Sequence, residues 1–246
     1  MPAHRSLAVA TPNTFDIARR TFTWTRGDRK IPAAAWFPAG AGRRPLVLVG
    51  HGGSGDKHSD AVTDLIAPLV GRFGFVLAAI DGPVHGDRRS TPAAPAEVRE
   101  EFRRLWEAGG SVEPMVADWQ HALDALCALP EVDSSAVAYL GLSMGTAYGL
   151  PFLANAPSMR AAVVGMWGTS RVNSARLVDD ARSVRFPVLF SLQWDDEIFS
   201  REGQFEIFDA LASADKHMTI YPGGHANPKG GGLEEMVEVL VRQLSD

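Results

Sequence analysis

The chain of 246 residues has a single cysteine, no long apolar run and no dense cluster of positive charge. With Cys127 alone no intramolecular disulfide can form, and its apolar helical surroundings predict a buried, unreactive thiol. The apolar runs are too short to cross a bilayer, and the apolar stretch within residues 1–14 is too short for a signal peptide. We therefore expect a cytoplasmic protein with no membrane partner.

The charge of the chain is mildly acidic and evenly spread. The formal net charge is -5, and the arginines occur as scattered pairs rather than as one basic patch. This distribution argues against nucleic acid as a partner. Hydrophobic residues make up 46% of the chain, which is ordinary for a globular protein with one large core.

Short apolar runs alternate with longer amphipathic segments, which predicts an α/β fold. Runs at 20–26 and 31–37 predict an antiparallel N-terminal pair, and the later runs predict parallel strands joined by right-handed crossovers. Those later runs are 45–50, 75–80, 136–140, 160–166, 186–192 and 217–221. Helices are predicted at 59–71, 112–129, 144–154, 201–212 and 232–244, with one more within 82–110. We expect an N-terminal arm, 1–19, and a single domain, 20–246, whose mostly parallel central sheet carries helices on both faces.

The segment Gly141-Leu142-Ser143-Met144-Gly145 has the pattern G-x-S-x-G between a predicted strand and a predicted helix. Such a turn is so sharp that its serine adopts a strained backbone conformation, which exposes the hydroxyl beside the positive end of the helix. We therefore predict Ser143 as a nucleophile. The alternative is a glycine-rich turn in which Ser143 only caps the helix.

A serine hydroxyl needs a base that removes its proton and an acid that orients the base. His225 follows the strand 217–221 on a glycine-rich loop, at the carboxyl end where such sheets bind ligands. His217 is the other downstream histidine, but it begins the same strand and so lies at the opposite edge of the sheet. We predict His225 as the general base.

The candidates for the acid follow the strand 186–192, where Asp195, Asp196 and Glu197 stand side by side. Three adjacent carboxylates cannot all face one imidazole. Asp195 and Asp196 both remain candidates on this pattern, whereas Glu197 is expected to be solvated or to start the next segment.

A glycine-rich segment, His51-Gly52-Gly53-Ser54-Gly55, follows the strand 45–50 and can present backbone N–H groups beside the nucleophile. We predict an oxyanion hole formed by the N–H groups of Gly53 and Met144, with Gly52 and Ser54 as alternatives to Gly53. A phosphate-binding loop is the other interpretation, but the lysine–serine ending of a P-loop is missing.

A further loop, Asp81-Gly82-Pro83-Val84-His85-Gly86-Asp87-Arg88, mixes acidic residues with histidine. Such a loop could hold a metal together with His51 and His58. A loop that shapes the rim of a pocket and is fixed by polar contacts explains the same residues more simply. We therefore predict neither a metal nor an organic cofactor.

With these motifs the chain resembles the α/β-hydrolase superfamily and, within it, the dienelactone-hydrolase-like branch of small serine esterases. The resemblance covers residues 20–246 and rests on His51-Gly52-Gly53, Asp81 with His85-Gly86, Gly141 to Gly145, Asp196 and His225. In relatives the acid commonly ends a Gly-x-x-Asp pattern. Here Gln193 replaces that glycine, and the resemblance implies Asp196 as the acid.

Departures from relatives narrow the expected activity. Dienelactone hydrolases carry cysteine where this chain has Ser143, which implies ester hydrolysis rather than dienelactone opening.

Residues 167–185 are too few for a full helical cap, so 82–110 is expected to cover the site in part, as a partial lid. Candidates for an apolar substrate pocket are Trp106, Trp167 and Trp194 with Phe102 and Leu105, and core packing is the alternative.

The expected function is hydrolysis of carboxylic esters with small acyl groups, through Ser143, His225, Asp196 and an acyl-enzyme intermediate. The same residues would also serve a thioesterase, an amidase or a cofactor-free perhydrolase. A ligand-binding protein that keeps the fold without catalysis is the non-enzymatic alternative. The expected partner is a small-molecule ester, and the oligomeric state does not follow from the sequence.

Overall fold

The computed structural model describes residues 16–156 and 158–245. Its strands are β1 (Ile17–Arg26), β2 (Arg29–Pro38), β3 (Arg44–Gly50), β4 (Val76–Ile80), β5 (Val132–Leu142), β6 (Ala161–Gly165), β7 (Val188–Gln193) and β8 (Lys216–Tyr221). They form one sheet in the order β1-β2-β4-β3-β5-β6-β7-β8. β2 is antiparallel to both β1 and β4, and the other neighbouring strands are parallel. The predicted mixed sheet with an antiparallel N-terminal pair is confirmed.

Helices cover both faces of this sheet, as predicted. They are α1 (Asp60–Thr63), α2 (Pro95–Ala108), α3 (Val112–Cys127), α4 (Met144–Ala154), α5 (Arg176–Ala181), α6 (Arg201–Ala210) and α7 (Gly231–Leu244), with a π-helical segment at Ile66–Arg72 and a 3-10 turn at Gly86–Arg88. α2 to α6 contribute to the core on one face, and α1, the π-helical segment and α7 contribute to the core on the other. Because side chains alternate along a strand, Leu46 and Leu48 of β3 enter the first core and Val47 and Val49 enter the second.

Some element boundaries differ from the prediction for local reasons. The helix predicted at 59–71 is divided, because Pro68 has no N–H to donate within a regular α-helical ladder. There the Phe73 N–H donates to the Pro68 carbonyl over 3.1 Å, five residues back. β1 starts at Ile17, inside the predicted arm, because its pairing with β2 extends to Pro38. The rest of that arm, 1–15, lies outside the described residues.

Cys127 and the helices bear on two further expectations. Cys127 ends α3 and is partly rather than fully buried, and burial raises the pKa of its thiol. Among the residues that the structure describes, no helix is long and apolar enough to span a membrane.

The start of α4 passes unusually close to the end of β3. A Cβ atom added to Gly145 would overlap the carbonyl oxygen of Gly50 and lie 3.0 Å from its carbonyl carbon. The Tyr139 hydroxyl also donates to the Gly145 carbonyl over 2.7 Å, which ties β5 to the same turn of helix. Both sides of the contact are backbone, so neither can move away cheaply and only glycine fits.

We expect Gly145→Ala to lower the free energy of unfolding by about 1–3 kcal/mol, the usual cost of overpacking a close contact. Urea denaturation followed by far-UV circular dichroism measures this change. Gly231→Ala is the matched control, because a Cβ atom at Gly231 meets nothing within 4 Å and this residue starts α7. Equal stability of Gly145→Ala and the wild-type protein would contradict the prediction.

Candidate active site

Ser143 stands at the sharp turn between β5 and α4. Its φ of 56° and ψ of -121° place it in a region that non-glycine residues seldom adopt, as expected for a strained turn. The Ser143 N–H donates to the Gly165 carbonyl over 3.0 Å, which fixes the turn against β6. The Thr146 hydroxyl oxygen accepts the Gly165 N–H at 2.7 Å and lies 2.8 Å from the Gly141 carbonyl oxygen. Thr146 therefore braces the turn, a role that the sequence pattern does not reveal.

A continuous chain of hydrogen bonds joins Ser143, His225 and Asp196. Ser143 Oγ lies 2.8 Å from His225 Nε2, and His225 Nδ1 lies 2.9 Å from Asp196 Oδ2. A carboxylate can only accept, so the proton of the neutral imidazole lies on Nδ1 and Nε2 is free to accept from the Ser143 hydroxyl. The arrangement can thus remove a proton from Ser143.

The Asp196 carboxylate is fully buried yet well supplied with donors. Its Oδ1 accepts the N–H groups of Ile198 and Phe199 over 2.8 Å and 2.9 Å, and its side chain has 0% exposure. Burial by itself raises the pKa of Asp196, but the bonds from His225, Phe199 and Ile198 outweigh it and hold the pKa below its ordinary value. The group therefore stays a carboxylate and keeps its orientation toward the imidazole.

The neighbouring carboxylates contact the backbone of the histidine loop instead. Asp195 is exposed, and its Oδ2 accepts the Gly223 N–H over 3.3 Å. Glu197 is exposed as expected, but its Oε2 also accepts the backbone N–H of His225 over 2.9 Å. Gln193, at the end of β7, donates to the Ala226 carbonyl over 3.0 Å. These contacts hold the loop that carries His225, and no residue pattern in the sequence indicates them.

The other downstream histidine, His217, lies in β8 and pairs with Asp215 over 2.8 Å on an exposed surface. It contacts neither Ser143 nor Asp196. The placement follows from the direction of β8, whose carboxyl end carries the loop with His225.

The predicted oxyanion donors lie side by side. A Cβ atom built on Gly53 would stand 3.9 Å from Met144 Cβ and 2.9 Å from the Phe102 ring. Met144 is the first residue of α4, and the first N–H groups of a helix have no partner within the helix. Gly53 and Ser143 also line the same cavity. Gly53 thus lies beside both Met144 and the cavity that Ser143 lines.

Two buried histidines contact the loop of residues 51–55: His51, its first residue, and His85. His51 Nε2 accepts the Gly82 N–H over 2.9 Å, and His51 Nδ1 lies 2.8 Å from the Gly52 carbonyl oxygen. His85 Nε2 lies 3.0 Å from the Gly53 carbonyl oxygen. Burial lowers the pKa of His51 to about 4 and that of His85 to about 3, so both rings are neutral near pH 7.

The loop that begins at Asp81 is fixed by an ion pair. Lys57 Nζ lies 2.8 Å from Asp81 Oδ2 and 2.7 Å from Asp87 Oδ2, and the Lys57 N–H donates to Asp81 Oδ1. The His58 ring packs against Trp36 instead, with 6.0 Å between the ring centroids. Within 16–156 and 158–245, no group of three or more His, Cys, Asp or Glu side chains is arranged to hold a metal.

A cavity of about 590 Å³ opens beside Ser143 and His225. Part of its wall is aromatic and comes from α2 and from the loops after β6 and β7: Phe102, Trp106, Trp167 and Phe199. Trp106 and Trp167 are also core residues, with ring centroids 5.0 Å apart. Their indole N–H groups donate to the Val172 carbonyl over 2.8 Å and to the Ser174 hydroxyl over 3.0 Å. The two tryptophans thus serve both as core and as cavity wall.

Trp194 and Leu105 lie elsewhere, so their placement in the pocket was wrong. Trp194 is 49% exposed, with the Arg201 guanidinium carbon 4.2 Å from its ring centroid. Trp194 lies in the turn just after β7, where its backbone N–H donates to the Tyr221 carbonyl over 2.7 Å and its side chain is exposed to solvent. Leu105 lines a different cavity, on the other side of α2 with Arg88 and Gly109.

The mixed eight-stranded sheet and the serine on its strand–turn–helix define an α/β-hydrolase. The sequence model of the dienelactone hydrolase family matches residues 31–229, most of the chain, and the chain therefore belongs to the dienelactone hydrolase family. It is a hydrolase of carboxylic esters.

Solved structures that resemble the chain include a cold-adapted esterase from an Arctic intertidal metagenomic library. That esterase is 32% identical, with a TM-score of 0.82 over 95% of this chain and 97% of its own. Two more distant structures share the fold. A dienelactone hydrolase-like promiscuous phosphotriesterase from metagenomic libraries is 21% identical, with a TM-score of 0.68 over 92% of this chain and 98% of its own. Acetyl xylan esterase 1 from a Thermoanaerobacterium species is 15% identical, with a TM-score of 0.65 over 94% of this chain and 89% of its own. No curated protein sequence gives a significant match.

Proposed function

We propose that this protein cleaves carboxylic esters with small acyl groups, with Ser143 as nucleophile, His225 as general base and Asp196 as the orienting acid. The observation that carries the proposal is the unbroken chain from the Ser143 hydroxyl through His225 to the buried Asp196, at the wall of an open cavity. The similarity to a cold-adapted esterase agrees with this choice of bond.

Acylation begins when His225 Nε2 takes the proton of the Ser143 hydroxyl as Oγ attacks the carbonyl carbon of the ester. The carbonyl oxygen becomes an oxyanion that accepts hydrogen bonds from the N–H groups of Gly53 and Met144, beside the positive end of α4. The intermediate collapses, the carbon–oxygen bond to the alcohol breaks, and the imidazolium gives its proton to the leaving alkoxide. Asp196 holds the Nδ1–H of His225 throughout.

Deacylation repeats these steps with water as the nucleophile. His225 removes a proton from the water, the resulting hydroxide attacks the acyl carbon, and the second tetrahedral intermediate releases the carboxylic acid. The proton on His225 returns to Ser143 Oγ. No metal or organic cofactor is needed for any of these steps.

The size and walls of the cavity favour small, partly apolar acyl esters. A volume of about 590 Å³ suits a small molecule, and Phe102, Trp106 and Trp167 give it apolar surface. We assign residues 82–110 the role of a partial lid, because α2 forms one side of the cavity. Between β6 and β7 the described chain contains only the short helix α5, and Trp167 and Arg171 of this segment line the cavity.

The proposal is tested by trapping the acyl-enzyme. The protein is mixed with p-nitrophenyl acetate, quenched in acid within milliseconds and digested for mass spectrometry, while p-nitrophenol release is followed in parallel. We expect an acetyl group on the peptide with Ser143 and a release burst close to one equivalent per protein. Turnover without an acetyl group on Ser143, or tight binding without turnover, would contradict the proposal. The matched thioester and anilide then show whether the preference for the oxygen ester holds.

We expect Trp167→Leu to raise the preference for longer acyl chains, because it removes an indole ring from the cavity wall. The ratio of kcat/KM for p-nitrophenyl hexanoate over that for the acetate should rise about tenfold. This is the low end of the change in kcat/KM that one additional accommodated methylene produces. Trp194→Leu is the matched control, since that ring is half-exposed and outside the cavity. A ratio that changes equally in both variants would contradict this account of the pocket.

A further inference from the structure

Two histidines, His51 within the loop of residues 51–55 and His85 outside it, form hydrogen bonds with the carbonyl oxygens of consecutive peptide groups of this loop. His51 Nδ1 contacts the carbonyl oxygen of Gly52, and His85 Nε2 contacts the carbonyl oxygen of Gly53. Both rings are buried, and their centroids lie 4.9 Å apart. The side chains thus form one buried cluster, neither lines the cavity that Gly52 and Gly53 line, and they take no part in the proton transfers described above.

The partners of the rings fix their tautomers. A carbonyl oxygen can only accept, so His51 carries its proton on Nδ1 and His85 carries its proton on Nε2. The Gly82 N–H donates to the remaining nitrogen of His51, which agrees with this choice. The remaining nitrogen of His85, Nδ1, is buried and meets no hydrogen-bond partner among the described residues. The two neutral histidines therefore have opposite tautomers, each directed at the loop.

Holding a carbonyl also holds the N–H of the same peptide group. A trans peptide is planar, with its C=O and N–H pointing in opposite directions. The Gly52 carbonyl shares its peptide with the Gly53 N–H, and the Gly53 carbonyl shares its peptide with the Ser54 N–H. The Gly52 carbonyl oxygen also accepts the Gly55 N–H over 3.1 Å, so a turn within the loop and His51 hold this peptide together. The two imidazole contacts therefore hold the peptides on either side of Gly53, and Gly52, Gly53 and Ser54 all line the cavity.

The ring of His85 is itself anchored. Its loop is tied down by Asp81, which pairs with the buried Lys57 and accepts the Asp87 N–H over 2.8 Å. Phe102 of α2 packs against the same ring, with 5.9 Å between the centroids. A buried ion pair and an aromatic contact thus keep the donor nitrogen in place.

We propose that His51 and His85 are positioning residues that clamp the two peptides on either side of Gly53, so that the Gly53 N–H is preoriented toward the oxyanion of the transition state. The inference rests on the proposed function, because it assumes that chemistry at Ser143 produces this oxyanion. Neither histidine touches the substrate or exchanges a proton with it.

The test compares His85→Leu, which removes the donor, with His85→Gln, whose side-chain amide can restore a donor near the position of Nε2. Loss of one oxyanion donor costs about 100- to 1,000-fold in kcat, and a misdirected donor should cost less, about 10- to 100-fold. We expect kcat of His85→Leu to fall by this factor with little change in KM. His85→Gln should recover most of kcat, and the pH–rate profile should keep its shape because His225 and Asp196 are untouched.

A second readout separates positioning from general loosening of the structure. The rate of phosphonylation of Ser143 by a fluorophosphonate should fall in parallel with kcat. The phosphoryl oxygen accepts hydrogen bonds from the same N–H groups as the oxyanion. An unchanged kcat in His85→Leu, a change confined to KM, or a His85→Gln variant as slow as His85→Leu would each overturn the proposal.

A variant-free measurement covers the case in which His85→Leu does not fold. Nitrogen-15 NMR of the wild-type protein with labelled histidine should show His51 as the Nδ1–H tautomer and His85 as the Nε2–H tautomer at pH 7. The reverse tautomer of either ring would overturn the proposal. This measurement does not depend on turnover, so a reversed tautomer in an active protein contradicts the positioning role while the proposed function stands. An inactive wild-type protein contradicts the proposed function, on which the positioning role rests.

Discussion

Replacing Ser143 by alanine is expected to lower kcat for p-nitrophenyl acetate by about 10⁴-fold or more, the scale seen when a triad nucleophile is removed. The variant keeps the oxyanion donors and the cavity but has no oxygen that can attack the ester. Its melting temperature should stay close to that of the wild-type protein, because the backbone bond from Ser143 to Gly165 does not involve the lost hydroxyl. Steady-state kinetics and a thermal melt together measure both effects.

A Ser143→Ala protein that keeps more than a few per cent of wild-type kcat would contradict this expectation. Removal of contaminating esterases is essential, so the variant is purified twice by different columns and its residual rate is compared between the two preparations. A residual rate that differs between preparations belongs to a contaminant, and one that stays constant belongs to the variant.

The second large effect is expected for Asp196→Asn, with a fall in kcat of about 10⁴-fold. An asparagine can donate its amide N–H to His225 Nδ1, which drives the imidazole proton to Nε2, the nitrogen that must accept from Ser143. The matched control is Asp195→Asn, in which the altered side chain is exposed and accepts only a long bond from the Gly223 N–H. We expect this neighbour to change kcat by less than about threefold.

The pair of variants decides between the two acids that stand side by side in the sequence. Comparable losses in both would show that the loop, rather than one carboxylate, controls the orientation of His225. A larger loss in Asp195→Asn would mean that the acid had been assigned to the wrong residue. Kinetics of the two variants at the same pH and substrate concentration separate these outcomes.

The positions of Ser143 and His225 could be predicted because each follows a strong strand pattern. Parallel strands bring their carboxyl ends to one edge, so residues far apart in the chain meet there. The choice between Asp195 and Asp196 could not be made from this rule, since both follow β7. It depends on the N–H groups of Ile198 and Phe199, which bond to Asp196 and turn its carboxylate toward the ring. Only the pattern shared with relatives favoured Asp196 beforehand.

Contacts between distant segments explain what the sequence did not reveal. Thr146 braces the serine turn by way of Gly165 on a neighbouring strand, and Glu197 holds the backbone of His225 across two loops. Trp194 was misplaced because a tryptophan near the site suggests a pocket wall, whereas its side chain lies on the exposed turn after β7, against Arg201. The clamp of His51 and His85 depends on which ring nitrogen faces which carbonyl, and only the three-dimensional arrangement shows this.

The fold itself was more accessible, since the apolar runs predicted every strand of the sheet. The differences are local: Pro68 interrupts the first helix, β1 extends to Ile17, β5 starts at Val132 rather than at 136, and the short helix α5 was not predicted. The strand order β4-β3-β5 at the centre of the sheet could not be predicted from the apolar runs. Crossover connections allow several strand orders for the same order of elements along the chain.

The most direct test of the central claim is labelling with a fluorophosphonate followed by peptide mass mapping. This reagent modifies a serine rapidly only where a base and an oxyanion hole are assembled around it. The account predicts one adduct, on the peptide that contains Ser143, in the wild-type protein and none in Ser143→Ala. Folded wild-type protein that remains unlabelled, or that carries its adduct on another residue, would contradict the account.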